Sequence, residues 1–409
     1  MNKVLYAFYT LFIISAVTAQ EIEPRIKYLS MEDGMSQVSV NDMVKDDKGF
    51  VWIGTANGLN RYDGNSFKHF IHKATDSTSI SGNFITRIEK FVDGRLLIGT
   101  RGKGLNLYNP KSNTFRRIKL GENFTNLTIS GLTHGENGGM WISTLTKGLF
   151  FWKDFETSPK SFLEKVSTTA IHKDKTGLLW VGDSYGNVYG YEQDFKLPLK
   201  SFSVKGSIKC FARIDDFLYV GTQDGLFVYN YKSNIVKPLE LEISGIHKTL
   251  HVADLLKSEE DKLLIATSRG LYFFDILKSK VISKIAYSKK DRTGLSNNTV
   301  QSLLKVSSKL LYVGTANELN CLDYQKPIFN NISKNKKGKH ILNDNVIFSV
   351  YKEKDLWVGT SDGGLNLITK DTVYYYLDNK NIPSSIAGSV VRSIVHDKIN
   401  DRIWFATVR

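Results

Sequence analysis

Short apolar segments alternate with polar turns along almost the whole chain. In one of them, Phe50–Thr55 (FVWIGT), the polar turn DDKG comes before the apolar core and the sequence GLNRYD follows it. Short runs of β-branched and aromatic residues between Gly, Asn and Asp predict strands joined by tight turns. No stretch after the first 20 residues keeps a helical period over a dozen positions, so the pattern predicts an all-β chain.

The same apolar core returns at a nearly fixed period. A large residue two places before a small one occurs nine times, at intervals of 39 to 48 residues. These large residues are Trp52, Leu97, Trp141, Trp180, Tyr219, Leu264, Tyr312, Trp357 and Trp404. A period in the forties is typical of the four-stranded blades of β-propellers. The repeat therefore predicts blades, and each core is expected to be the second strand of its blade.

Two kinds of small residue have a mechanical role in this prediction. The glycine just before the core supplies a positive φ in the turn between the first and second strands. This glycine is Gly49, Gly94, Gly139 or Gly177. The small residue inside the core lets neighbouring blades approach closely. This second residue is Gly54, Gly99, Ser143, Gly182, Gly221, Ala266, Gly314 or Gly359.

The number of cores predicts the domain organisation. Seven cores, from Trp52 to Tyr312, predict a seven-bladed β-propeller in residues 20–325. The segment Arg25–Met31 resembles the strand-like SFKHFIH after the first core, and we expect it to complete the seventh blade, which would pair an otherwise open sheet edge. Residues 326–409 are predicted to begin a second, incomplete propeller with one blade and part of another. A single ring of nine blades is the alternative, in which the ninth blade would lack its last strands.

The first residues have the pattern of a secretory signal peptide. Lys3 is followed by the apolar run Val4–Val17, and small residues surround Ala19. We expect residues 1–19 to be removed by cleavage near Ala19, which would leave the mature chain periplasmic or secreted. A membrane anchor is the alternative, although the apolar run is short for a span that needs about 20 residues.

Charge and reactive residues restrict the functions to consider. The formal net charge of +14 favours attraction to acidic polymers or surfaces, with a diffuse surface charge as the alternative.

Cys210 and Cys321 occupy non-equivalent positions in different units and are expected to be buried thiols. His247 and His251 have a spacing that suits a metal only on a helix, but their segment leads into a strand, so no metal site is expected. No carboxylate pair can be assigned to glycoside hydrolysis, so we predict no catalytic residue and no cofactor.

The repeat units resemble a known family. The stretches VNDMVKDDKGFVWIGTANGLNRYDG and GLSNNTVQSLL with LYVGTANELNCLD are similar to the two-component regulator propeller repeat. The resemblance implies the periplasmic sensor region of hybrid two-component systems, with which gut bacteria detect glycans. Members usually carry two seven-bladed propellers, a β-sandwich, a transmembrane helix, a histidine kinase, a receiver and a DNA-binding module. This sequence has propeller repeats alone, so the resemblance implies a truncated sensor that is not itself an enzyme.

The same resemblance implies the partners of the chain. It implies an oligosaccharide ligand and a homodimer formed through the sensor region. It implies no nucleic-acid contact by this chain, and a membrane contact only through a C-terminal part that this sequence lacks.

One set of turns is the candidate binding surface. In a propeller, the turns between second and third strands all emerge at one end of the ring, around the channel mouth. Arg and Lys side chains there would hold a carboxylate or a sulfate, and an aromatic ring would stack on a sugar face. The candidate ligand-binding residues are Asn57, Arg101, Lys103, Lys147, Tyr185, Gln223 and Arg269.

Three functions from different classes are compatible with the sequence. The first is a glycan sensor that binds an oligosaccharide, anionic ones included, and performs no chemistry. The second is a secreted propeller enzyme, a hydrolase or lyase acting on polyanionic glycans. The third is a protein-docking propeller without a sugar ligand. For the turn residues themselves, the alternative is that they are solvated and bind nothing.

Overall fold

The computed structural model divides the chain into two compact units, with the boundary after Gln325. It describes residues 24–91, 93–121, 127–154, 157–192, 195, 197–241, 250–258, 261–288, 294–325, 332 and 342–408. The predicted signal peptide, residues 1–19, and His247 lie outside the described residues. Within the described ranges, no helix has the length and apolar character that a membrane crossing requires.

The described part of the first unit contains seven four-stranded antiparallel sheets. Sheet 1 is formed by β2 (Val40–Lys45), β3 (Val51–Thr55), β4 (Gly58–Tyr62) and β5 (Phe67–Phe70). Sheet 2 is formed by β6 (Ile85–Lys90), β7 (Leu96–Thr100), β8 (Leu105–Asn109) and β9 (Thr114–Ile118). Sheet 3 is formed by β10 (Ile129–His134), β11 (Met140–Thr144), β12 (Gly148–Trp152) and β13 (Lys160–Phe162). Sheet 4 is formed by β14 (Thr168–Lys173), β15 (Leu179–Asp183), β16 (Asn187–Tyr191) and β17 (Lys200–Ser203). Sheet 5 is formed by β18 (Ile208–Ile214), β19 (Phe217–Thr222), β20 (Gly225–Asn230) and β21 (Ile235–Leu239). Sheet 6 is formed by β22 (Val252–Lys257), β23 (Lys262–Thr267), β24 (Gly270–Asp275) and β25 (Lys280–Ile285).

Sheet 7 joins the two ends of the first unit. Its first three strands are β26 (Val300–Ser307), β27 (Leu310–Thr315) and β28 (Leu319–Asp323), and its outer strand is β1 (Arg25–Leu29). β1 runs antiparallel to β28, from the pair Arg25–Asp323 to the pair Leu29–Leu319. It lies in the segment for which the sequence predicts a closing strand.

The sheets follow one another around an axis. The first strand of each sheet contacts the first strand of the next, from β2 and β6 through to β22 and β26, and β26 contacts β2. The seven first strands therefore form an inner ring, and the apolar cores lie between neighbouring sheets. One such core contains Trp52 of sheet 1 with Ile85 and Leu96 of sheet 2. The predicted all-β, propeller-like fold is confirmed.

The small residue of each core allows the close approach of neighbouring sheets. A Cβ added at Gly54 would lie 2.6 Å from Cγ2 of Ile85, and one at Gly182 would lie 2.5 Å from Cγ2 of Ile208. Ile85 and Ile208 are the first residues of β6 and β18, the first strands of the next sheets. The packing role predicted for these glycines is confirmed.

The turn glycines are predicted correctly in three of four cases. Gly49, Gly94 and Gly177 have φ values of +90°, +80° and +89°. Gly139, in contrast, is extended with a φ of −71°, so the prediction for it is wrong. Its neighbour Gly138 has a φ of +79°. The short 3-10 turn Glu136–Gly138 shifts the register by one residue relative to the predicted alignment of the units.

Aspartates hold the tryptophans of two second strands. The indole Nε1–H of Trp52 donates to Oδ2 of Asp46 at 2.8 Å, and that of Trp180 donates to Oδ2 of Asp174 at 2.9 Å. The other carboxylate oxygen of Asp46 accepts the backbone N–H of Phe50. Each aspartate therefore fixes the turn between the first and second strands and satisfies the polar end of a buried ring.

Both cysteines are free thiols, and the predicted burial holds for Cys321 but is only partial for Cys210. Cys210 is half-buried in β18 and Cys321 is buried in β28. Burial raises the pKa of Cys321 to about 12, with a smaller opposing effect from its hydrogen bond with Tyr312. Neither thiol is therefore poised for reaction at neutral pH.

The second unit has the same kind of sheet. Its described residues form one four-stranded sheet and a hairpin, made of β29 (Ile347–Lys352), β30 (Leu356–Thr360), β31 (Leu365–Ile368) and β32 (Val373–Tyr376), followed by β33 (Val390–Asp397) and β34 (Arg402–Val408). A Cβ added at Gly359 would lie 2.6 Å from the carbonyl oxygen of Val391. The core glycine therefore has the same packing role here as in the first unit.

Candidate functional site

The turns between second and third strands are tied to the segments that lead into the first strands. In sheets 2 to 7, the backbone N–H of the residue after the core donates to the carbonyl just before the first strand of the same sheet. The pairs are Arg101 to Phe84, Leu145 to Thr128, Ser184 to Ser167, Gln223 to Ser207, Ser268 to His251 and Ala316 to Thr299, at 2.9 to 3.2 Å. Both kinds of segment therefore lie at one end of the inner ring, which we call the turn end.

Buried hydroxyl groups fix the shape of these turns. The threonine that ends each core is fully buried, and its hydroxyl donates to the carbonyl of the residue that closes the turn. Thr55 donates to Gly58 at 2.8 Å and Thr100 to Gly104 at 2.7 Å. In sheet 4, Asp183 has the same position and accepts the backbone N–H groups of Tyr185 and Asn187. The turns are therefore preorganised, which reduces the entropy that a ligand would have to offset.

Buried asparagines anchor the leading segments. The side chain of Asn60 in β4 is fully buried; its Oδ1 accepts the N–H of Ser36 and its Nδ2 donates to Oγ of Ser36, each at 2.9 Å. The arrangement recurs between Asn106 and Ser81 and between Asn320 and Ser296. The recurring triplet GLN or ELN was the sequence signal for these anchors, and the sequence analysis gave it no role.

Hydrogen bonds also join the turn of one sheet to the leading segment of the next. The N–H of Gly58 donates to Asn83 at 2.7 Å, and that of Gly104 donates to Leu127 at 2.9 Å. Between sheets 7 and 1, the N–H of Glu318 donates to Val38 at 2.8 Å. The turn end is thus a hydrogen-bonded rim that runs from sheet to sheet.

The structure places the seven predicted site residues on this rim. Six are exposed and Arg269 is half-buried. They follow one another on sheets 1 to 6, so Lys147 and Tyr185 are on neighbouring sheets whereas Asn57 is three sheets away from Tyr185. The candidates in chain order are Asn57, Arg101, Lys103, Lys147, Tyr185, Gln223 and Arg269.

Two of these side chains have a conformation suited to binding. The ring of Tyr185 is 84% exposed, so an aromatic face is open to solvent. The guanidinium of Arg101 lies 3.7 Å from the centre of the Phe84 ring, a cation–π contact that holds it at the rim. An exposed aromatic face can stack on a sugar, and a guanidinium held at the rim can hold an acidic group.

The inner ring carries charged residues that the sequence analysis did not select. Every first strand of sheets 1 to 6 has a register shift opposite its core, which leaves one extra residue. Asp42 and Asp254 follow this extra residue in sheets 1 and 6, and Arg87 follows it in sheet 2. Lys209 is itself the extra residue of sheet 5. The residue after the shift is charged in sheets 1, 2 and 6 but is Gly131, Ala170 and Cys210 in sheets 3 to 5, so the sequence carries no regular signal for these charges and they can be recognised only once the register is known.

Each of the two aspartates bridges to the neighbouring sheet. Oδ2 of Asp42 accepts the N–H of Ile88 at 2.7 Å, and Oδ2 of Asp254 accepts that of Leu303 at 2.8 Å. Burial raises the pKa of Asp42 to about 7, opposed by the charge of Arg87, and burial raises the pKa of Asp254 to about 6. Both carboxyl groups therefore change protonation close to neutral pH.

Comparisons with known proteins agree with the propeller-like fold. The family model for the two component regulator propeller matches residues 34–57, which confirms the expected resemblance. Histidine kinase P4 of Formosa agariphila is 41% identical over 70 residues, which are 17% of this chain and 5% of that protein. The chain thus matches only a small part of the kinase.

Solved structures resemble nearly the whole chain. The extracellular domain of a proposed hybrid two-component system of B. thetaiotaomicron matches with a TM-score of 0.67 and 21% identity, over 94% of this chain and 52% of that one. The extracellular domain of a proposed one-component system of the same organism matches with a TM-score of 0.61 and 18% identity, over 95% and 52%. At these identities the likeness is one of fold, and the chain spans about half the length of these domains.

Proposed function

We propose that this chain is the ligand-binding part of an extracytoplasmic sensor in a two-component signalling system. Its first unit is a closed seven-bladed propeller, its second unit is the start of another, and its ligand is an oligosaccharide, anionic ones included. The observation that carries the proposal is the rim of preorganised turns, on which exposed cations and an open tyrosine ring follow one another. The likeness to extracellular domains of two-component systems supports the sensing role and an exported location, after removal of residues 1–19.

The chemistry of the rim favours binding over catalysis. Lys147 and Tyr185 lie on neighbouring sheets, so one sugar residue can stack on the ring while the ammonium group holds its carboxylate or sulfate. Cleavage of a glycosidic bond needs two carboxyl groups on either side of that bond. None of the seven rim candidates is an acid, and the turn residues Asp224 and Glu318 are on sheets 5 and 7, which are not neighbours, so the chain is proposed to sense its ligand without turnover.

The proposal is tested with the full chain and defined oligosaccharides. Neutral and uronic-acid or sulfated oligosaccharides of equal length are added, and the melting temperature and the dissociation constant are measured. We expect at least one sugar to raise the melting temperature, and Tyr185→Ala and Lys147→Gln each to weaken its binding about tenfold or more, in line with the loss of about 1.4 kcal/mol or more. The control is Lys48→Gln, an exposed lysine in a turn between first and second strands, which should bind as the wild type does.

Three outcomes contradict the proposal. New reducing ends or unsaturated products from the bound sugars would indicate a hydrolase or lyase. Equal binding by Tyr185→Ala, Lys147→Gln and the wild type would remove the rim from the site. Absence of binding to every sugar tested would favour a protein-docking propeller.

A further inference from the structure

Three polar groups of the inner ring lie at the turn end without a partner among the described residues. Nε2 of His251 is buried with no hydrogen-bond partner, whereas Lys209 is half-buried and forms no hydrogen bond or ion pair with another described residue. The hydroxyl of Thr86 is buried and unpartnered as well. A buried polar group without a partner destabilises the fold, so Nε2 of His251 and the hydroxyl of Thr86 call for a ligand, a bound ion or a water molecule.

The register of the inner ring brings Lys209 and His251 together. In sheet 1, the extra residue Asn41 donates from Nδ2 to the carbonyl of Ile85, the first residue of the neighbouring first strand, at 2.8 Å. In sheet 3, the extra residue Ser130 reaches the carbonyl of Thr168 in the same way at 2.6 Å. By this pattern the extra residue Lys209 of sheet 5 points to the start of β22, which His251 immediately precedes.

Electrostatic effects agree with this placement. Burial lowers the pKa of Lys209, and the charge of Arg87 lowers it further. Burial lowers the pKa of His251, and the charge of Lys209 adds to the effect. Arg87 belongs to sheet 2 and Lys209 to sheet 5, so the two cations influence each other across the inside of the ring.

The nearby acids do not complete this cationic group. Asp42 and Asp254 are within electrostatic reach of Arg87. Each of them, however, accepts two backbone N–H groups, those of Met43 and Ile88 for Asp42 and those of Leu255 and Leu303 for Asp254. Cys210 beside Lys209 stays a neutral thiol, since burial raises its pKa. Arg87 donates from one guanidinium nitrogen to the carbonyl of Thr86 at 2.7 Å, and no carboxylate among the described residues is hydrogen-bonded to Arg87, Lys209 or His251.

We infer that the inside of the ring, at the turn end, binds one compact oxyanion group, a carboxylate, sulfate or phosphate, between Lys209, Arg87 and His251. Such a group offers several acceptor oxygens, so it can take hydrogen bonds from the ammonium, guanidinium and imidazole groups together. Charge-assisted hydrogen bonds of this kind are stronger than neutral ones. The site is formed by residues of the inner ring and contains none of the seven candidate turn residues, and it does not depend on an oligosaccharide ligand.

The protonation of the nearby groups predicts how the affinity of the site for an anion changes with pH. Asp42 and Asp254 lose their protons as the pH rises through about 7 and about 6, and the added negative charge opposes an anion near Arg87. Burial and the charge of Lys209 lower the pKa of His251, which moves its gain of positive charge to lower pH, so the two aspartates set the direction of the effect. The site should therefore bind a sulfate more tightly at pH 5.5 than at pH 8, and sulfate itself keeps its charge over this interval.

The experiment titrates the full chain with sodium sulfate, sodium phosphate, sodium galacturonate and a sulfated monosaccharide at constant ionic strength in chloride. Saturable heats by calorimetry are expected for at least one probe, with Lys209→Gln weakening the binding tenfold or more. The matched control is Lys205→Gln, which removes an exposed lysine from the segment before the same strand and should leave the binding unchanged. Binding of the inorganic ions alone assigns the site to a free anion, and binding of the acidic sugars alone assigns it to the acid group of a glycan; either supports the site.

Two results overturn the inference. The first is the absence of saturable binding by all four probes, and the second is an equal affinity in the wild type and Lys209→Gln. Should Lys209→Gln not fold, as judged by circular dichroism, the wild type still decides the question by its pH dependence. An affinity for sulfate that is the same at pH 5.5 and pH 8 then rejects the site. Loss of oligosaccharide binding on the rim would leave this test untouched.

Discussion

At the scale of single residues, the carboxyl groups of the inner ring link protonation to stability. Burial raises the pKa of Asp42 to about 7, whereas an aspartate in an unfolded chain has a value of 3.8. Between about pH 4 and pH 7 the folded protein therefore binds more protons at this residue than the unfolded chain. The free energy of unfolding consequently decreases as the pH rises through this interval. Asp254, with a pKa of about 6, contributes in the same direction.

Asp42→Asn should remove part of this pH dependence. An amide does not titrate, and its Oδ1 can still accept the N–H of Ile88 from the neighbouring sheet. Urea unfolding at pH 5 and pH 8 measures the change, and we expect the wild type to lose about 1–3 kcal/mol more than the variant over this interval. Asp63, whose pKa is about 2, stays ionised throughout and does not interfere.

The control for Asp42→Asn is Asp47→Asn, in an exposed turn of the same sheet. The side chain of Asp47 is 59% exposed and pairs only with Lys90 at the surface. Such a pair is worth little, so the control should keep the slope of the wild type. The same slope in Asp42→Asn as in the wild type would show that this carboxyl group is not the source of the pH dependence.

At the scale of elements, β1 shows how one short strand connects distant parts of the chain. Leu29 at its end is 2% exposed and belongs to a core with Met35, Val40 and Leu319, so it packs on sheets 1 and 7 together. Arg25 at its start pairs with Asp323 at 2.9 Å, but the side chains are 61% and 30% exposed. The two ends of one strand therefore differ in how they contribute to stability.

Two alanine variants separate these contributions. Leu29→Ala should lower the free energy of unfolding by about 2–4 kcal/mol, because it removes buried methyl groups and leaves a cavity. Arg25→Ala should lower it by less than about 1 kcal/mol, as exposed ion pairs do. Urea unfolding of both variants is the measurement, and similar losses in the two variants would contradict the packing described for β1.

The strands were predictable from the sequence, whereas their polar connections were not. The core from Val51 to Thr55 is apolar, β-rich and flanked by turn residues, and local pattern is enough to predict such a strand. The bridge from Asp42 to Ile88 depends on the register shift in β2 and on the neighbouring sheet, neither of which a local pattern contains. The same limit explains the wrong prediction for Gly139. The local pattern did not show that this unit is shifted by one residue relative to the others.

For the candidate site, the sequence predicted that the second-to-third-strand turns lie at one end of the ring, but it did not predict the contacts among the side chains there. Strand order alone implies that the second-to-third-strand turns share one end, and exposed Lys147 and Tyr185 are on neighbouring sheets there. Lys209 and His251 were not selected as site residues, because a lysine at the start of a strand and a histidine just before one have no local feature that indicates an inner position. Their placement follows from the closure of the ring, which is a property of the whole unit.

At the scale of the whole molecule, the net charge of +14 raises the question of whether anion binding is local or diffuse. The rim of the first unit gathers cations from three sheets, in the residues Arg101, Lys103, Lys147 and Arg269. If these cations attract the ligand, removing two of them should slow association more than removing two lysines elsewhere. If the attraction depended only on the total net charge, every exposed lysine would contribute equally to the association rate.

Two double variants with the same net charge distinguish these cases. Arg101→Gln with Lys147→Gln changes the rim, whereas Lys48→Gln with Lys175→Gln changes exposed turns between first and second strands. Association of a sulfated oligosaccharide is followed by stopped flow at about 50 and about 300 mM salt, an interval over which screening of exposed charges becomes strong. We expect the rim variant to associate about tenfold more slowly at low salt and to lose most of its salt dependence, as electrostatic steering predicts, while the second variant behaves as the wild type does. Equal slowing in the two variants would mean that the charge acts as a whole, and the rim would then have no special part in capturing anionic ligands.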